Sequence, residues 1–211
     1  MVELKFGLKT VDLPYTVRIP DITEEMFEEL VDEDTKAELI DGVMVVHSPA
    51  TLQHDDIGGF LWALMRIYAR RRRLGKVLGP DSLVHLATCR LFAPDIFFIK
   101  QKRVIVPWPK QFEGAPNQAT VVLSPTNRDD DLEDKRPAYR AAGVEEIWLV
   151  DPVEEHVIVD RRRKQGYLTQ TITKGRVTST VLPGFWIESA WLWAQPLPDE
   201  LSCLEEILGA K

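Results

Sequence analysis

The sequence predicts a single domain of mixed α/β (α+β) class. Three observations carry that prediction. The 211 residues suffice for one domain with a substantial core. Stretches with helical spacing and stretches with period-two spacing alternate as helix, hairpin, long helix, strands, helix, strand and further strands. There is no internal repeat and no low-complexity linker to divide the chain, so residues 1–211 read as one unit.

Each element follows from its residues. In "PDITEEMFEELV", Asp21 and Glu24 have capping-box spacing, and Ile22, Met26, Phe27 and Leu30 make one apolar stripe. "AELIDGVMVVHSP" reads as a hairpin whose Asp41-Gly42 pair supplies the positive φ of a type I′ turn. From Leu52 to Leu74, Ile57, Phe60, Leu61, Leu64, Ile67 and Tyr68 recur at helical spacing. Gly75 is the expected stop of that helix, and Arg70 to Arg73 suit its last turn. Strands are expected at 83–86, 95–99 and 119–123, and a helix over 134–142 closed by Gly143. "EIWLVDP" and "EHVIVDR" read as strands, and "YLTQTIT" with "RVTSTVL" as a late hairpin turning at Lys174-Gly175. The segment "PGFWIESAWLWAQP" reads as a core cover or an interface.

Composition narrows the function classes. Net charge is −7, which gives no global support to nucleic-acid binding, although Arg70–Arg73 and Arg161–Lys164 are local basic runs. Two distant cysteines without a CxxC pair fit a reducing cytosol, and the start lacks a signal-peptide stretch, so a cytoplasmic protein is expected. No window approaches the ~20 apolar residues of a membrane helix. His47, His54, His85 and His156 lack zinc spacing. The motifs GxGxxG, GxxxxGK[ST] and GxSxG are absent.

Four features could carry chemistry. Glu38 shares a strand face with Ile40; it fits either a buried functional acid or an edge position open to water or a salt bridge. Asp95 opens the apolar strand of "APDIFFI", as a site residue or as the end of a turn after Pro94. Lys135 follows the acid-rich run Asp129, Asp130, Asp131, Glu133 and Asp134. Read alone, that run is a solvated loop, with one acid capping the next helix and Asp129 to Asp131 facing water. His54, near the start of the long helix, fits a phosphate donor, a cap or a core residue.

Taken in order, "AELIDG", "SPATLQH", "APDIFFI", "EGAPNQATVVLSPTN" and "DKRPAYRAAGVEEIWLVDP" resemble the bacterial "putative restriction endonuclease" family of the PD-(D/E)xK nuclease superfamily, over about residues 20–190. The resemblance implies a restriction-endonuclease-like fold, a central mixed sheet flanked by helices. It implies hydrolysis of DNA phosphodiester bonds with Mg²⁺ or Mn²⁺, by a homodimer. It matches Glu38, Asp95 and Lys135 to the family's catalytic positions, with Asp95 and Glu38 toward the metal. A strand Glu is also expected, and Val121 stands in its place. Asn117 replaces an Asp, and Pro137 falls just after Lys135, where a helix's first turn tolerates it. An inactive relative serving as a DNA- or protein-binding module is the alternative.

Overall fold

The computed structural model describes residues 5–6, 9–10, 16–32, 35–47, 50–125 and 128–209. Ser48 and Pro49 of "SPATLQH", Thr126 and Asn127, and the side chain of Asp130 lie outside the described residues. The first strands are β1 (Lys5–Phe6), β2 (Lys9–Thr10) and β3 (Thr16–Ile19), followed by α1 (Glu24–Leu30). Then come β4 (Ala37–Ile40), β5 (Val43–His47), α2 (Leu52–Arg71) and β6 (Gly75–Leu78). Next are β7 (Val84–Ala87), β8 (Arg90–Phe92), β9 (Ile96–Lys100), β10 (Phe112–Glu113) and β11 (Gln118–Val122). A short helix α3 (Arg128–Asp130) runs through a π-helical turn (Asp131–Lys135) into α4 (Arg136–Ala142). The chain ends with β12 (Glu146–Asp151), β13 (His156–Arg162), β14 (Tyr167–Ile172), β15 (Arg176–Thr178), β16 (Trp186–Glu188) and α5 (Glu200–Gly209).

Two six-stranded mixed sheets result, ordered β10-β7-β8-β4-β5-β3 and β14-β13-β12-β11-β9-β6. In the second, β11 and β12 are parallel, joined by the crossover through α3, the π turn and α4. Period-two alternation then sorts β11 and β12. Val122, Trp148 and Val150 face α2, where Ile57, Phe60, Leu61, Leu64 and Tyr68 form the buried stripe the sequence predicts. Ala119, Val121, Leu123, Ile147 and Leu149 face α4 and meet Ile40, Val45 and Phe92 of the first sheet. Each large side chain removed from water contributes roughly 1.5–3 kcal/mol to holding these layers together. No helix among the described residues is long and apolar enough to cross a membrane.

Several local expectations hold. Asp41 and Gly42 adopt φ of 51° and 84°, so β4 and β5 form the tight hairpin. Gly143 closes α4 at φ 82°. Others are corrected. Thr23, not Asp21, caps α1, because Asp21 sits at φ 60°, and Glu24 is drawn away to the Cys89 amide. Helix α2 stops at Arg71 with Arg73 in the left-handed region. Gly75 is instead part of β6, where a Cβ would lie 1.9 Å from the Ile99 carbonyl oxygen. The late hairpin does not form: β14 pairs with β13, whose apolar face it extends, while β15 pairs with β16. The Trp-rich segment covers the core, with Trp186 and Leu192 buried.

Candidate active site

Strand β4 lies inside the first sheet, between β8 and β5, so Glu38 is not at an edge and is 1% exposed. A carboxylate there needs partners, and it has three. Its Oε1 accepts the Ala93 amide at 2.7 Å. Its Oε2 lies 2.8 Å from His47 Nε2 and 2.7 Å from Lys135 Nζ. Because the carboxylate can only accept, Nε2 of His47 carries the proton. Burial pushes Glu38 up, but Lys135 and His47 outweigh it and hold the carboxyl at about 2.

The acid-rich run is not a solvated loop. The π turn continues directly into α4, with no side-chain cap on that helix, and it turns two of its charges inward. Lys135 is 7% exposed and Asp131 3% exposed, which corrects the expectation that Asp131 faces water. Asp129 is exposed as expected, and Asp134 reaches Arg18 at 3.1 Å. Lys135 Nζ sits 2.9 Å from Asp131 Oδ1 as well as against Glu38. Lys135 is the partner that the buried Asp131 Oδ1 has. Burial, with Glu38 and Asp95 adding to it and Lys135 opposing, pushes Asp131 up to about 6. Burial draws Lys135 down, but Glu38 and Asp131 more than reverse this and keep it charged, well above the ordinary lysine range. One turn on, Tyr139 is fully buried and its hydroxyl has no partner.

Asp95 comes to the same end of the second sheet. Its Oδ2 accepts the Val122 amide at 2.8 Å. Strands β9 and β11 pair Ile96 with Thr120, so one further step sets Asp95 opposite Val121. Its Oδ1 lies 3.5 Å from His54 Nε2 on α2. Burial raises Asp95, and His54, Lys36 and the Val122 amide together lower it further than burial raises it. Asp95, His54, Lys36, Gly58, Gly59 and Trp62 line an open cleft of about 250 Å³. Larger hollows beside Trp108 and Trp193 are not lined by Asp95, Glu38 or Lys135.

Val121 lies in this setting as an apolar residue, 2% exposed and packed in the cluster with Tyr139, Leu149 and Ile40. The face it occupies is the one α4 covers. Asn117 has become structural: its Oδ1 accepts the Lys100 amide at 2.8 Å and its Nδ2 donates to Glu145 at 2.6 Å. Of the basic runs, Arg70–Arg73 is exposed, whereas Arg161 is buried against Glu146 and the Thr178 carbonyl.

Sequence reasoning missed His47, Asp131 and Tyr139 as parts of this cluster. A signal for each was present. His47 is two residues beyond Val45, the partner of Glu38 in the hairpin, and so shares its face. Asp131, Lys135 and Tyr139 are spaced at four and four, which aligns them along one helical face.

A hard divalent cation is the group such a site implies. Among the described residues no three His, Cys, Asp or Glu side chains form a metal-holding set. Magnesium, however, binds through one or two carboxylates plus waters. Asp95 Oδ1, 3.5 Å from His54, and the Asp131 carboxylate, paired with Lys135, are donors of that kind. Glu38 offers less, since both its oxygens already accept.

A profile of the family described as "Putative restriction endonuclease" (Uma2) matches residues 24–190. Among solved structures, a "putative nuclease belonging to DUF820" from Anabaena variabilis ATCC 29413 superposes with a TM-score of 0.71. It is 18% identical, over 82% of this chain and 97% of that one, a likeness in fold. A comparison with curated proteins finds no match.

Proposed function

The chain belongs to the Uma2 family of restriction-endonuclease-like proteins, and from that premise we propose that it is a metal-dependent endonuclease hydrolysing DNA phosphodiester bonds. The observation that carries the proposal is the convergence of Asp95 and the Lys135–Glu38 pair at one end of β11, beside an open cleft. Asp95 would hold Mg²⁺ or Mn²⁺, which supplies Lewis acidity toward a phosphate oxygen when bound. Lys135, kept charged by Glu38, stabilises negative charge developing on the phosphate. Glu38 acts on Lys135, through the Oε2 it shares with His47. A direct hold of Glu38 on the cation requires it to release one of its donors. His54 and Lys36 line the cleft where a phosphate would approach.

A second reading is a non-catalytic relative that binds DNA or a protein. The apolar Val121 favours it, because the strand carboxylate is gone. Nicking of supercoiled plasmid in Mn²⁺ separates the two. The endonuclease cleaves and Asp95→Asn does not; binding without cleavage, falling steeply with salt, marks the second reading. The proposal includes a homodimer in the cytoplasm. Two free cysteines fit a reducing compartment. Sedimentation equilibrium tests the dimer.

A further inference from the structure

We propose that Asp131 is the second carboxylate of the cation site and takes the part that Val121 cannot play. The proposal rests on the endonuclease reading and goes beyond it, because the family resemblance matches no role to Asp131. Three observations support it.

The first is position. The side chain of residue 121 packs in the cluster that holds Tyr139 of α4, and the Tyr139 hydroxyl is close enough to Asp131, which pairs with Lys135, to feel its charge. A π turn widens the helix by one residue, a distortion that recurs at functional sites. It closes here between Asp131 and Lys135.

The second is an unmet polar demand. Asp131 is buried, with Lys135 Nζ 2.9 Å from its Oδ1. The Tyr139 hydroxyl is buried without a partner, close enough to Glu38, Lys135, Asp131 and Asp95 to feel their charges. A buried hydroxyl left unpartnered among these charges is a place that a ligand would satisfy.

The third is charge. Glu38 and Asp131 pair with Lys135, and Lys36 acts on Asp95. The three carboxylates outnumber the two ammonium groups by one charge, which a divalent cation would more than balance. The pair Asp95 and Asp131 then supplies the one or two carboxylates that magnesium or manganese takes.

The test is Mn²⁺ binding to the native protein, read by calorimetry and by the electron paramagnetic resonance signal of free Mn²⁺. The native protein is expected to bind one Mn²⁺, and Asp131→Asn to weaken binding at least about tenfold. Adding Val121→Glu to Asp131→Asn is expected to restore binding, since it returns a carboxylate to the cluster that holds Tyr139. Thermal melting in EDTA shows whether each variant folds. Should Val121→Glu fail to fold, Asp131→Glu replaces it, and retained binding in that variant supports the assignment. If Asp131→Asn binds Mn²⁺ as the native protein does, while Asp95→Asn does not, Asp131 is no ligand and the endonuclease reading stands. If the native protein binds no Mn²⁺, or Asp95→Asn binds it unchanged, the endonuclease reading itself fails and this assignment falls with it.

Discussion

Two acidic side chains lie inside the protein on opposite faces of the second sheet, and their surroundings differ in kind. Glu146, at the start of β12, faces the α2 side. It accepts from Trp148 Nε1 at 3.1 Å, Ser179 Oγ at 2.7 Å, the Thr180 amide at 2.8 Å and Thr180 Oγ1 at 2.7 Å. Arg161 Nε stands 3.4 Å away. Asp131, on the α4 side, has one ammonium for a partner. Both are equally dry, so burial alone does not separate them. What separates them is saturation. A buried acid whose lone pairs are filled holds strands and loops together, whereas one left short is held in place by the fold at a cost in stability. Donor count separates Glu146 from Asp131, whereas Glu38 stands in the candidate site with both oxygens filled.

That contrast can be broken by experiment. The largest effect is expected at Glu146. Glu146→Ala strands Arg161 and unpairs Ser179 and Thr180, and should lower unfolding free energy by roughly 3–5 kcal/mol in urea denaturation. A loss below about 1 kcal/mol would mean that saturation does not mark structural acids. Next, Lys135→Met leaves Glu38 and Asp131 without their shared cation and should destabilise by about 3 kcal/mol. Adding Glu38→Gln should return part of that loss, and a double-mutant cycle measures the coupling.

The acid limb comes third. Glu38 is held at about 2 in the folded protein, below its ordinary 4.5. A group with a depressed folded pKa contributes stability above the unfolded value and loses it as pH falls toward the folded one. Stability should therefore drop by up to about 3 kcal/mol between pH 4.5 and 2, and the drop should be shallower in Glu38→Gln. Equal acid limbs in both proteins would remove Glu38 as the cause. The smallest effect is expected at Asp131. In metal-free protein, Asp131→Asn should change stability by less than about 1 kcal/mol or raise it, since it removes a poorly met buried charge. Destabilisation on the scale of Glu146→Ala would place the two acids in one structural class.

Much of this architecture is legible in the sequence because it rests on local rules. The DG turn, the α2 stripe, the Gly143 stop and the β12 strand each follow from a few neighbouring residues and their backbone preferences. The errors have a common origin in long-range competition. Glu24 has the spacing to cap its own helix, yet the Cys89 amide claims it. Gly75 has the chemistry of a helix stop, yet the close approach of β9 uses it. The strand at 176–178 pairs with β16, while β14 pairs with β13. In the site, Glu38, Asp95 and Lys135 can be chosen from motif order. Asp131 is hidden because an acid among five in six positions looks solvated until a sheet is laid over it.

The sequence by itself determined the family and the fold class, both of which depend on which residues occur in which order. Only the tertiary structure decided which acids are dry and which are filled. Solvation and donor count belong to the space between elements, and residues 38, 95, 131 and 135 acquire a common environment only when the hairpin, β9, β11 and the π turn close around them.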